Sequence, residues 1–125
     1  MSYAALYDKA VAAGKEAAMK RVPTPMVVGR AVDLYTNEMV PGTQEVVMDG
    51  VCGFAWVNIK PGNSAFANWL KKNGLARKDS YAGGVTVWVG DYNQSMEKKE
   101  AYADAFAEVL RDNGIDRAYA QSRMD

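Results

Sequence analysis

The side chains best suited to chemistry in this sequence are aromatic and cationic. Phe54, Trp56 and Trp88 fall on apolar stretches, Tyr92 follows shortly after, and Lys60, Arg77, Arg117 and Arg123 punctuate the same part of the chain. Aromatic rings stack on planar groups such as nucleobases, and guanidinium and ammonium groups hold phosphate or carboxylate. Acid–base and nucleophilic chemistry has less to work with. The chain has no histidine and one cysteine, Cys52. The commonest general base and zinc ligand is therefore missing, an ordinary Cys–His pair is impossible, and no disulfide can form within the chain. Cys52, next to Gly53 on an apolar stretch, reads as a small buried thiol. Glu97, Glu100, Asp104 and Glu108 recur at helical spacing, the pattern of an ordinary polar helix face. No catalytic residue, metal site or cofactor is assigned. A Gly-Lys-Ser/Thr phosphate loop and a dinucleotide glycine pattern are both absent from the sequence.

Charge narrows the partners. Lys+Arg and Asp+Glu number 15 each over 125 residues, and the pI is about 6.3. A surface built for long nucleic acid carries an excess of basic charge, whereas a small anion needs only a few local cations. The apolar runs are too short to cross a bilayer, and the first residues lack a basic segment followed by an apolar one. A cytoplasmic protein is expected, with no membrane partner.

The elements that must position these residues are legible from residue 51 onward. Val51 to Ile59 reads as a strand, stopped by Pro61-Gly62. Asn63 or Ser64 caps a helix carrying Phe66, Trp69 and Leu70, and Asn73-Gly74 ends it. Leu75 to Ala82 reads as a short charged strand, Gly83-Gly84 as a turn, and Val85 to Val89 as a strand. Ser95 caps a helix with Tyr102, Phe106, Val109 and Leu110 on one face; Asn113-Gly114 ends it, and Ile115 to Ala120 reads as the last strand. Strand, Asn-Gly cap and trailing Tyr-Ala occur in the same order in both halves, so this is a β–α–β unit written twice. Two such units predict an α+β domain with the ferredoxin-like order βαββαβ, the first and third strands central. Arg77, Lys78, Asp79, Asp116 and Arg117 then fall on edge strands, where charge discourages stray pairing.

Residues 1–50 read as an N-terminal extension of the same single domain of residues 1–125. Ser2 caps a helix running to about Arg21, with Leu6, Ala10, Ala13 and Ala17 on one face. Met26-Val27-Val28 is a short strand, and Asp49-Gly50 reads as the turn of a hairpin joining 45–48 to 51–54.

Alternation along the central strands separates Ala55, Val57, Ile59, Val85, Val87 and Val89 from Phe54, Trp56, Asn58, Thr86 and Trp88. The aliphatic set is expected under the two helices and the aromatic set on the opposite face. That face needs a cover: the N-terminal helix, a second copy of the protein, or a planar ligand. The strand-to-helix junctions 60–64 and 91–95 read first as ordinary caps and second as phosphate cradles. Lys71, Lys72, Arg77 and Lys78 form a basic patch that Arg117 and Arg123 would join across an edge.

Gly53-Phe54-Ala55-Trp56-Val57, Phe66-Ala67, Trp69-Leu70-Lys71-Lys72, Asn73-Gly74, Ser80-Tyr81-Ala82-Gly83-Gly84, Trp88-Val89, Gln94-Ser95 and Ser122-Arg123-Met124-Asp125 resemble a family of small bacteriophage proteins of uncharacterised function. The resemblance covers about the last three-fifths of the chain and brings no catalytic residues with it. It implies phage infection as the setting, the host cytoplasm as the place, and host-defence inhibition as an expected role. Together these readings predict a non-enzymatic, homo-oligomeric binding protein that sequesters a nucleotide-like signal. Phe54, Trp56, Trp88 and Tyr92 would stack; Lys60, Arg77, Arg117 and Arg123 would meet phosphate. The alternatives are a protein-interaction module that inhibits a host defence enzyme, and a metal-dependent phosphodiester hydrolase using the acidic helix.

Overall fold

A computed structural model describes residues 2–22, 26–28, 45–47, 53–90 and 95–124. The element order is α1 (Tyr3–Lys20), β1 (Met26–Val28), β2 (Glu45–Val47), β3 (Gly53–Ile59), α2 (Ala65–Lys72), β4 (Arg77–Lys78), β5 (Val85–Trp88), α3 (Met96–Asp112) and β6 (Ala118–Met124). The fold is α+β. Four antiparallel strands form an open sheet in the order β4-β5-β3-β6, so β3 and β5 are central and β4 and β6 are the edges.

Local chemistry explains where the helices begin and end. Ser2, Ser64 and Ser95 accept hydrogen bonds from the amides of Ala5, Ala67 and Lys98, each satisfying a free first-turn donor. At the other end, α2 and α3 stop in the same way. Gly74 and Gly114 take positive φ, and the next amide, Leu75 or Ile115, donates back to the carbonyl of Leu70 or Leu110 at 2.9 Å in both cases. This six-to-one closure needs a left-handed residue, which glycine supplies without steric cost. The repeated Asn-Gly in the sequence is therefore a repeated cap geometry.

Ala55, Val57, Ile59, Val85 and Val87 are buried against Phe66, Leu70, Phe106 and Leu110. The core thus lies on the helix side of the sheet, as strand alternation predicts. The N-terminal helix joins this same layer. Its buried stripe is Leu6, Ala10, Gly14 and Ala18, one residue round from the expected Ala13 and Ala17. The small residues let α1 run close along α3: a Cβ on Gly14 would come within 2.9 Å of the Tyr102 ring. Tyr3 and Tyr7 extend the contact, with Tyr3 edge-on to Phe66 at 5.4 Å and Tyr7 edge-on to Phe106 at 5.8 Å. Lys98 clamps the end of α1 by donating to the carbonyls of Ala18 and Arg21.

Three sequence expectations need correction. The segment at 45–47 pairs with β1 in a separate two-stranded sheet, not with the start of β3, which is flanked by β5 and β6; Asp49 and Gly50 themselves lie outside the described residues. The charged strand expected over 75–82 shrinks to Arg77–Lys78, because Asp79 captures the following backbone into a turn. The last strand begins at Ala118, not Ile115, and runs to Met124, paired with the whole of β3. Strand propensity alone did not signal Gln121, Ser122 and Arg123; pairing with an apolar central strand holds them extended.

Candidate functional site

Alternation along β3 and β5 sends Phe54, Trp56, Thr86 and Trp88 to the face turned away from all three helices. Cross-strand pairing then sets their neighbours. Trp56 lies opposite Trp88 on one side and Gln121 on the other, Phe54 opposite Arg123, and Arg77 opposite Thr86. Paired residues share a face of the sheet, so Tyr119, Gln121, Arg123 and Arg77 flank the aromatic centre. The Trp56 and Trp88 rings are 5.1 Å apart and tilted by 46°, and Phe54 stands edge-on to Trp88 at 6.5 Å. Trp88 is 52% exposed, a large fraction for the residue at the middle of a ring cluster.

Several contacts fix this floor. Trp56 Nε1 donates to Gln121 Oε1 at 2.8 Å, orienting the indole. Two cations approach the Phe54 ring, the Arg123 guanidinium at 5.6 Å and the Lys99 ammonium at 5.4 Å from its centroid. Lys99 is buried on α3, and its ammonium donates to the Gly53 carbonyl at 3.2 Å.

The far wall is the turn 79–84. The Asp79 carboxylate accepts from the amides of Tyr81 and Ala82 and from the Thr86 hydroxyl, at 3.0, 2.8 and 3.0 Å. The Ala82 amide contributes most to holding this carboxyl below its usual range; the Tyr81 amide, the Thr86 hydroxyl and the Lys60 charge add to it, against some desolvation. Asn58 Nδ2 donates to the Gly83 carbonyl at 2.9 Å, tying the turn to the central strand and leaving Asn58 only 3% exposed. Gly84, at φ 71°, lies where a Cβ would overlap the Ile59 carbonyl oxygen. The turn is therefore a fixed wall. Between it and β6 lies a hollow of about 530 Å³ lined by Trp56, Trp88, Thr86, Asp79, Gln121 and Arg123, with Tyr81 and Ala82 at its rim. That size falls within the range of about 300–1,000 Å³ usual for small-molecule sites.

Of the residues the sequence nominates, Phe54, Trp56, Trp88 and Arg123 come together. Arg77 flanks Trp88 from the other side, in a neighbouring hollow of about 410 Å³. Lys60 and Arg117 do not line the aromatic floor. They share a separate hollow of about 230 Å³ with Pro61, Ser64 and Asp116, although the Lys60 charge is felt at Asp79. Tyr92 and Cys52 lie outside the described residues. The basic patch also divides, because Arg77 is on edge strand β4 while Arg117 and Arg123 are on the β6 side of the sheet. Lys71 and Lys78 instead line a polar hollow of about 360 Å³ with Asp79 and Gly83-Gly84, which holds no ring for stacking. The junction at 60–64 is occupied by ordinary capping from Ser64. On α3, Glu97 pairs with Arg21 at 3.6 Å, and no cluster of potential metal ligands occurs among the described residues.

Asp79, Thr86 and Gln121 join the site beyond the residues the sequence nominates. Asp79-Ser80-Tyr81-Ala82-Gly83-Gly84 carries a legible signal, an Asp positioned to cap its own turn. Gln121 was hidden by the misplaced end of the last strand. Comparison of the chain with protein-family models, with curated proteins and with solved structures finds no match.

Proposed function

We propose that the chain is a non-enzymatic binding protein that takes a nucleotide-like ligand on its open sheet face. One observation carries this reading. Trp56 and Trp88 form a tilted pair in a hollow of about 530 Å³ beside Arg123, and α1 packs with the other helices instead of covering it. A base would stack on the exposed Trp88 indole, and its phosphate would meet the Arg123 guanidinium. The ionised Asp79 carboxylate on the opposite wall repels the phosphate and accepts N–H groups from the base edge, which fixes the direction of the ligand.

The strand order β4-β5-β3-β6 supports reading the domain as ferredoxin-like βαββαβ, an arrangement that leaves one sheet face open. The resemblance to small phage proteins supports a setting in the host cytoplasm, where the protein would sequester a nucleotide signal of host defence. Among the described residues no helix is long and apolar enough to cross a membrane.

Titration calorimetry and tryptophan fluorescence with a panel of linear and cyclic nucleotides test the proposal. Binding with quenching is expected, and both are lost in Trp88→Ala. The absence of both heat and quenching with every member would overturn it. Retention instead of a host enzyme from lysate would transfer the same face to protein recognition.

A further inference from the structure

Trp88 serves two hollows. On one side is the aromatic hollow with Trp56 and Arg123; on the other is the hollow of about 410 Å³ formed by Gly74, Leu75, Ala76 and Arg77, and the two share Thr86 and Trp88 as a common ridge. Trp88 is half-exposed, whereas Thr86 is buried and bonded to Asp79. The two hollows differ in chemistry. The first has a stacking floor. The second has a single cation, Arg77, set directly across from Thr86, and a wall of chain past the α2 cap.

Resting on the nucleotide reading above, we propose that the ligand is two nucleotides long: a pair of bases joined by a phosphodiester. The first base lies over Trp56 and Trp88. The linking phosphate passes at the Trp88 end of the shared ridge, away from the Asp79-bound Thr86 hydroxyl, and is held by Arg77, and the second unit lies in the Gly74–Ala76 hollow. A mononucleotide would fill only the first hollow and would not reach Arg77, which lines the second. The zero net charge fits this short ligand: a long strand adds phosphates with no excess of basic charge to meet them.

The experiment measures affinities for AMP and GMP, for the linear dimers pApA and pGpG, for the cyclic 3′,3′-dimers, and for a ten-residue oligoadenylate. At least one dimer is expected to bind ten-fold or more tightly than its monomer. Arg77→Ala should bring that dimer to within about two-fold of the monomer, while Lys78→Ala, on the same strand but paired with Val85 and so on the opposite face, keeps the gap. Linear against cyclic dimer distinguishes a strand fragment from a cyclic signal. A decamer that outbinds every dimer would overturn the two-unit limit. Monomers binding as tightly as dimers, or a gap that survives Arg77→Ala, would overturn the second subsite while leaving the nucleotide reading intact. Silence from every probe would remove both.

Discussion

Trp88 and Phe66 show how differently two large aromatic residues act in this domain. Phe66 is buried in the core, edge-on to Tyr3 and stacked on Trp69 at 6.1 Å. Truncating it to alanine should cost about 3–5 kcal/mol, seen as a lower urea midpoint. Trp88 is half in water, so Trp88→Ala should cost about 1 kcal/mol or less while abolishing ligand-induced quenching. Trp56 is intermediate. Trp56→Phe keeps a ring but loses the bond to Gln121, and about 1 kcal/mol of stability is expected to go with it. The types and face of these residues follow from alternation along two apolar strands. Their partners do not, because Gln121 and Arg123 reach Trp56 and Phe54 through pairing across 65 or more positions of sequence.

The turn 79–84 is the element on which the site depends. Asp79 is held ionised by two amides and a hydroxyl, so its folded-state pKa lies below its unfolded value near 4. A depressed carboxyl stabilises the fold at pH above the unfolded value, and that contribution is lost as pH falls through the folded value. Denaturation midpoints measured from pH 6 down to pH 2 should therefore fall further for the native chain than for Asp79→Asn, with the two converging at the acid end. Gly84→Ala should be among the more damaging single changes, since positive φ and the Ile59 carbonyl both oppose a side chain. It should lower the urea midpoint and weaken ligand binding together. At this scale the sequence was only partly legible. The two Asn-Gly caps announced themselves because their chemistry is local. The strand expected over 75–82 is only Arg77–Lys78, because one Asp side chain competes with sheet pairing for the backbone amides.

For the whole molecule, the decisive feature is that α1, α2 and α3 share one side of the sheet. Deleting residues 2–22 should therefore unfold the domain by uncovering α3, Phe66 and Phe106; circular dichroism of the truncated chain checks this. Had α1 covered Trp88 instead, the same deletion would have left the core intact and increased nucleotide access.

Read alone, the sequence sets the helices, their serine and Asn-Gly boundaries and the division of the central strands into an aliphatic and an aromatic face. Those features depend on caps and periodicities that span a few residues. Long-range packing sets which layer α1 joins, that β2 pairs with β1, how far β6 extends, and that Arg77 and Arg123 approach Trp88 from opposite flanks while Lys60 and Arg117 stand apart. The physical reason is that those choices are made by contacts between segments distant in the chain, where burial and pairing outweigh local preference.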